Sequence, residues 1–113
     1  MFDFEKLKVY QKAQDLHADI LKICNGLKNT DVYSRDQLKR ASLSVVLNIA
    51  EGSGKFSKAD RARFFRTARG SVYECVAVLD SYRRNTVIDE NVYSHLYNRY
   101  EEVSKMLLGL IRS

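Results

Sequence analysis

Residues that could do enzyme chemistry are few in this sequence, and they stand far apart. His17 and His95 are single histidines, without the H-x-x-x-H or E-x-x-H spacing that sets two metal ligands on one helix face. Cys24 and Cys75 form no C-x-x-C pair, and we expect buried free thiols because both lie on or beside apolar lines. We expect Ser42, Ser44 and Ser71 to have neither a glycine elbow nor a nearby histidine base. The sequence therefore predicts a protein that is not an enzyme, with no catalytic residues, metal or cofactor.

A concentrated run of cations lies between residues 55 and 69. These residues are Lys55, Lys58, Arg61, Arg63, Arg66 and Arg69, against Asp60 alone. At about 100° per residue, Lys58, Arg66 and Arg69 share one flank of a predicted helix. The start of that helix, with its free N–H groups, favours phosphate, and Phe56 offers a stacking surface. We predict a nucleic-acid-binding site for RNA or DNA backbone, without sequence readout because no RNA-recognition or helix-turn-helix motif is present. The alternative is a basic face that contacts only solvent.

Charge is spread unevenly along the chain. Nineteen lysines and arginines against fourteen aspartates and glutamates give a net charge of +5. Residues 34–84 hold eleven of the basic and five of the acidic residues, so this segment carries +6 and the two ends together carry −1. Such asymmetry favours a basic face whose partner is nucleic acid or an acidic protein surface.

A polar line on the predicted second helix does not fit a plain solvated face. It consists of Gln37, Arg40, Ser44, Asn48 and Glu51, at steps of 3, 4, 4 and 3. The third helix presents Ser71 and Glu74 on a comparable face. We interpret all seven as a half-buried polar network between helices or subunits, in which Arg40 pairs with Glu51 or Glu74. The alternative interpretation is an exposed polar side.

Four amphipathic stretches must position these residues. Apolar residues recur every three or four positions over residues 9–27, 38–50, 65–82 and 92–110. A capping box beginning at Ser34 and the N-cap residue Ser57 mark two helix starts, and the fourth helix is expected to start near Asp89. Gly52 and Gly54 end the second helix, where glycine suits a left-handed cap. Short connections make successive helices antiparallel neighbours. The pattern predicts a single all-α domain over residues 1–113, an antiparallel up-down-up-down four-helix bundle.

Composition agrees with a helical domain in the cytoplasm. Proline is absent from the 113 residues, so long uninterrupted helices are allowed. No apolar stretch approaches the roughly 20 residues of a membrane span, and the N-terminus has no signal-peptide pattern. Two cysteines are too few for a disulfide scaffold. We therefore expect a cytoplasmic protein without a membrane partner.

Residues 37–52, QLKRASLSVVLNIAEG, resemble a known family signature. The signature reads Q-x-x-R-A-x-x-S-x-x-x-N-I-A-E-G. It is found in small bacterial four-helix-bundle proteins that are encoded within 23S rRNA intervening sequences, and in related accessory proteins of diversity-generating retroelements. Residues 4–10 and 64–74 are similar to two further family segments, so the resemblance covers nearly the whole chain. Val46 departs from it, because many members carry a proline there.

The resemblance implies a four-helix bundle that assembles into a homo-oligomer, with a pentameric ring as the family's form, and RNA-linked roles. Tyr93, Tyr97 and Tyr100 share one face of the fourth helix, which also indicates a subunit contact. The function predicted from all these features is a non-enzymatic homo-oligomer that binds nucleic-acid backbone through its basic patch. The alternative is a protein–protein assembly module or accessory subunit, with a partner such as a polymerase and no direct nucleic-acid contact.

Overall fold

The chain is almost entirely helical. A computed structural model describes residues 1–27 and 30–113. Its elements are a 3₁₀ turn at Asp3–Lys6, α1 at Lys8–Gly26, α2 at Val32–Ser53, α3 at Lys58–Arg84 and α4 at Glu90–Arg112. These residues include no β-strand, which confirms the predicted all-α class.

The four helices form an elongated bundle of 45 × 21 × 20 Å. Each helix packs against the next along the chain, and α1 also packs against α4 and so closes the square. Because successive helices alternate in direction, the start of α1, the turn between α2 and α3, and the end of α4 lie at the same end. We call this the lower end of the bundle and the opposite one the upper end.

The core consists of the predicted apolar stripes. Its largest side chains with essentially no solvent exposure are Leu16, Ile20, Leu38, Ile49, Leu79, Leu96, Tyr100 and Leu107. Val46 is buried inside a continuous α2, so the helix runs unbroken through the position where many relatives carry proline. Burial of these stripes, at about 25 cal/mol per Å² of apolar surface, is the main force that holds the helices together.

Two predicted helix starts are confirmed. The Ser57 side chain accepts a hydrogen bond from the Asp60 N–H at 3.1 Å, and α3 begins at the next residue. The Asp89 carboxylate accepts from the Val92 N–H at 2.8 Å, and α4 begins at the next residue. Each side chain satisfies one of the N–H groups that have no partner within the helix.

The capping box predicted at Ser34 is wrong. The helix begins two residues earlier, because Asp31 is the N-cap and accepts from the Tyr33 N–H at 3.0 Å. The Ser34 hydroxyl instead lies 2.9 Å from both the Asp31 carbonyl oxygen and the Tyr82 hydroxyl. Ser34 therefore ties the start of α2 to the end of α3 and does not cap the helix.

Gly52 is required for close packing and not for a left-handed cap. None of the glycines in the described part of the chain has a positive φ, and Gly54, the residue after α2, has φ −89°. A Cβ at Gly52 would lie 2.8 Å from Phe65 Cε1 and 3.0 Å from Phe64 Cβ. The glycine thus lets the end of α2 approach the start of α3, directly beside the basic segment.

A partly buried contact between His17 and Ser42 joins α1 to α2, so the expectation that Ser42 has no nearby histidine is wrong. His17 Nδ1 lies 2.7 Å from Ser42 Oγ, which itself donates to the Lys39 carbonyl oxygen at 3.0 Å. The Ser42 hydroxyl therefore bridges the His17 imidazole and the Lys39 carbonyl oxygen. Burial of the imidazole lowers the pKa of His17.

We expect His17 to make stability dependent on pH. Because its pKa is lower in the folded chain, the unfolded chain binds more protons as the pH falls below the ordinary histidine pKa of about 6.5. The contribution of His17 to the free energy of unfolding is complete above about pH 6.5, the ordinary histidine pKa. It is lost as the pH falls through the lower pKa of His17 in the folded chain. Urea midpoints at pH 7.5 and pH 5.0 should show a smaller drop for His17→Gln than for the natural chain. An equal drop in both proteins would contradict this assignment.

Within residues 1–27 and 30–113, no helix combines the length and the apolar character needed to cross a lipid bilayer.

Candidate nucleic-acid interface

Three separate parts of the chain meet at the lower end of the bundle. A shallow hollow of about 200 Å³ there is lined by Asp3 and Leu7 from the chain start, Ser53 and Lys58 beside the α2–α3 turn, and Leu110 from α4. We call the surface around it the basic end. It comprises the cations Lys6, Lys8, Lys55, Lys58, Arg61, Arg63 and Arg112, with the exposed carboxylates Asp3, Glu5, Glu51 and Asp60.

Arg61 fixes the turn between α2 and α3. Its guanidinium donates to the carbonyl oxygens of Lys55 and Phe56, at 3.2 and 2.6 Å. The Phe56 ring next to these bonds is fully exposed to solvent. Arg61 is therefore a positioning residue that presents Lys55 and Phe56 at the tip of the molecule.

Two further cations, Lys55 and Arg63, lie close to the Phe64 ring. Lys55 Nζ lies 5.0 Å from the centre of the Phe64 ring, and the Arg63 guanidinium carbon lies 4.6 Å from it. Arg63 is also 4.0 Å from the Asp60 carboxylate. Cation–π contacts at exposed sites contribute only about 0.5–1 kcal/mol each, so both cations are held near one position yet remain available to an anion.

Arg66 and Arg69 belong to a different surface. Arg69 is half-buried in the groove between α3 and α4, where it donates to Ser104 Oγ at 3.1 Å and to the Tyr73 hydroxyl at 3.2 Å. Arg66 is exposed and lines the lower part of the same groove. The flank predicted for Lys58, Arg66 and Arg69 is therefore split, with Lys58 at the basic end and the two arginines along the groove.

The sequence interpretation missed three cations of the basic end: Lys6, Lys8 and Arg112. They lie near the two termini, far along the chain from residues 55–69. The antiparallel topology predicted from the sequence could have identified these three cations, because it places the start of α1 and the end of α4 beside the α2–α3 turn.

Most of the predicted polar network is present, and it joins α2 to α3. Gln37 Nε2 donates to the Glu74 carboxylate at 2.6 Å, and the Ser44 and Ser71 hydroxyls lie 2.9 Å apart. Asn48 Nδ2 donates to the Ser44 carbonyl oxygen and hydroxyl, at 2.9 and 3.1 Å. Since Ser44 and Ser71 are largely buried, these bonds fix how the two helices are aligned.

The predicted pairing of Arg40 with Glu51 or Glu74 does not form within the chain. Arg40 and Glu51 are eleven residues apart on one helix, about 16 Å along its axis, which is too far for an ion pair. The Glu74 carboxylate is already bound by Gln37. Arg40 and Glu51 are both exposed, and the described part of the chain gives neither of them a salt bridge.

Both cysteines lie in the core as thiols. Cys24 and Cys75 are both buried and free, and burial raises the pKa of each thiol, for Cys75 to about 12. The thiolate, which is the nucleophilic form, is therefore scarce at neutral pH. Among the described residues, no group of three histidine, cysteine or carboxylate side chains is arranged to hold a metal ion.

An all-α four-helix bundle with an exposed basic end is the class of protein that this fold and site define. Residues 5–109 match the family model described as 23S rRNA-intervening sequence protein, and the chain belongs to that family. No curated protein matches the chain. Among solved structures, it is similar to a protein of unknown function from the S23 ribosomal protein family of Bacteroides thetaiotaomicron, with a TM-score of 0.87 at 23% identity. The match covers 93% of this chain and 99% of that one.

Proposed function

We propose that this protein is a non-enzymatic homo-oligomer, a pentameric ring by its resemblance to the family, that binds single-stranded nucleic acid, RNA in the first place, through its basic end. The family description, which refers to 23S rRNA, supports RNA as the ligand. The cytoplasmic location expected from the sequence stays a prediction.

The observation that carries this proposal is the fully exposed Phe56 ring beside cations. Arg61 holds the turn that presents this ring to solvent. Stacking of a base on an aromatic ring is worth about 1–3 kcal/mol and accepts any base. Lys55, Lys58 and Arg63 would then contact the phosphates on either side of the stacked base.

Side-chain charge, and not helix dipoles, supplies the attraction. Helices α1 and α3 begin at the lower end, but α2 and α4 end there, so their dipoles largely offset one another. Phosphate contacts made by lysine and arginine give affinity without reading base edges. Repetition of the basic end around a ring would strengthen each weak contact through its effective concentration.

Direct binding tests this proposal. Fluorescence anisotropy with a labelled, mixed-sequence single-stranded RNA should show binding at 50 mM salt that weakens steeply at 200 mM. A duplex of the same length and ends should bind less tightly, because its bases cannot stack on Phe56. Absence of binding to the single strand at 50 mM salt would overturn the proposal.

A second candidate function is a protein–protein assembly module without direct nucleic-acid contact. Exposed Leu43 and Leu47 on α2 favour it, because they form an apolar surface on the side of the bundle. An acidic partner such as a polymerase subunit would also suit the positive charge of the molecule. This candidate becomes the better account if the RNA titration fails and the oligomer persists.

A further inference from the structure

We propose that a hollow on the side of the bundle, between α3 and α4, holds one nucleotide of the single strand that also occupies the basic end. We call it the side hollow, and its volume is about 350 Å³. It is lined by Arg66, Arg69, Gly70 and Tyr73 from α3, and by Leu108 and Ile111 from α4. The inference rests on the proposed RNA-binding function, and it extends the path of the strand from the lower end onto the side of the bundle.

The charges around the side hollow favour an anion. Two of the six described residues that line it are arginines, and none is acidic. Arg112 of the basic end lies one turn below Leu108 on the same face of α4, so positive charge continues from the basic end to the hollow. The carboxylates of Asp80 and Glu101 line another hollow, higher in the groove. A phosphate therefore fits the side hollow better than the rest of the groove.

Both arginines of the side hollow can contact a phosphate. Arg69 is held by neutral partners, because its Nε donates to Ser104 Oγ at 3.1 Å and its Nη2 to the Tyr73 hydroxyl at 3.2 Å. Arg66 is exposed and makes no salt bridge within residues 1–27 and 30–113. Since no carboxylate competes for either guanidinium, both retain their full charge for phosphate oxygens.

Tyr73 and Gly70 provide a place for the base. Arg66, Gly70 and Tyr73 follow one another at steps of four and three, so they are neighbours on one helix face. Tyr73 is 60% exposed, and the Arg69 guanidinium carbon lies 5.2 Å from the centre of its ring. Because Gly70 has no side chain, a planar base can lie against the helix between Arg66 and the Tyr73 ring, where stacking accepts any base.

Packing within the chain does not require a glycine at position 70. Gly70 lies in the middle of α3, and an added Cβ there would meet no atom within 4 Å. Glycine is less favourable than alanine inside a helix, because it loses more backbone entropy on folding. Gly52 differs, since close packing against Phe65 requires it. The missing side chain at Gly70 keeps the side hollow open, which suits an occupant from outside the chain.

One strand can reach both the basic end and the side hollow. Lys58 and Arg69 are eleven residues apart on α3, about 16 Å along the helix axis. Stacked nucleotides advance about 3.4 Å each, so about five of them cover this distance. A strand that is longer than this gains a second contact on the same molecule, and its affinity rises through the effective concentration of the second site.

Filling the side hollow without changing any charge tests the inference. Gly70→Leu in the full chain places a side chain between Arg66 and Tyr73, and we expect the helicity and the mass of the assembly to stay unchanged. Fluorescence anisotropy at low salt should use mixed-sequence single-stranded RNAs of about 4 and about 12 nucleotides. The variant should bind the longer RNA about tenfold more weakly than the natural chain does, and the shorter RNA equally well.

Gly109→Leu is the matched control. Gly109 also lies within a helix with no atom near an added Cβ, and it does not line the side hollow. This control should bind both RNAs like the natural chain. A second variant, Arg66→Gln, adds no bulk and should lower the slope of log affinity against log salt by about 0.7 for the longer RNA only. Lys22→Gln, exposed on α1, should leave that slope unchanged.

Failure of this inference can be told apart from failure of the proposed function. Equal binding of the longer RNA by Gly70→Leu and the natural chain would leave the basic end as the whole site. Unchanged RNA affinity with an altered mass of the assembly would mean that a protein surface, and not a nucleotide, occupies the side hollow. If both mass and affinity change, an unchanged salt slope in Arg66→Gln would refute the inference. A natural chain that binds neither RNA removes the proposed function itself.

Discussion

Simultaneous Lys55→Gln, Lys58→Gln and Arg63→Gln should weaken binding of mixed-sequence single-stranded RNA at least tenfold. These three side chains are exposed around Phe56, and two of them are gathered on the Phe64 ring. Each phosphate contact releases counterions and adds about −0.7 to the slope of log affinity against log salt for a single strand. The triple variant should therefore lose about two units of slope as well as affinity.

A matched control variant distinguishes RNA binding at the basic end from attraction by the overall charge of the protein. Lys22→Gln, Lys39→Gln and Lys105→Gln together remove the same three charges from α1, α2 and α4, away from the α2–α3 turn. We expect this control to lose less than threefold in affinity and to keep most of its salt slope. Phe56→Ala should weaken binding of the single-stranded RNA and leave binding of the duplex unchanged. Equal losses in the two triple variants would mean that binding follows net charge and that the basic end is not a site.

Gly52→Ala should destabilise the protein by about 1–3 kcal/mol, even though alanine is the better helix former. The new Cβ would lie 2.8 Å from a ring carbon of Phe65, a residue only 4% exposed, and 3.0 Å from Phe64 Cβ. Neither atom can move freely, because the ring is enclosed by the core and a Cβ is fixed by its backbone. Urea unfolding monitored by circular dichroism measures the loss as a lower midpoint at an unchanged slope.

Gly109→Ala is the control for this substitution. Gly109 lies within α4, and an added Cβ there meets no atom within 4 Å. The change should raise stability by up to about 1 kcal/mol, because alanine loses less backbone entropy in a helix. If the Gly→Ala change lowers the free energy of unfolding at Gly52 and raises it at Gly109, the contacts with Phe64 and Phe65 are the cause of the loss at Gly52. A stabilising effect at Gly52 would refute the packing argument.

Local signals and periodicity were sufficient for the fold. The apolar stripes gave four helices, and the core is built from them because a helix buries the face on which residues recur every three or four positions. Ser57 was correctly predicted as a cap, since a side-chain cap acts within three residues, and the fourth helix was correctly expected to start near Asp89. The cap predicted at Ser34 was wrong because Asp31, three residues upstream, is the N-cap. The contact of the Ser34 hydroxyl with Tyr82, 48 residues away, is one that no local pattern shows.

The candidate site was likewise predicted only in part from the sequence. The run of cations at residues 55–69 was plain from the sequence, but helical angles alone placed Lys58, Arg66 and Arg69 together. Contacts from another helix separated them, because Ser104 of α4 binds Arg69 in the groove. In the same way the polar line was evident, but only its alignment against α3 showed that Ser44 meets Ser71 and that Arg40 faces outward.

The sequence by itself determined the helices, their antiparallel order, the family and the excess of positive charge, because each depends on spacing along one helix or on composition. Tertiary structure decided which cations share a surface, that Arg61 holds the turn presenting Phe56, and that Gly52 is needed against Phe65. These features depend on distances between residues that are remote along the chain. Such distances are set by how the packed helices are rotated and shifted against one another, which periodicity within a single helix does not specify.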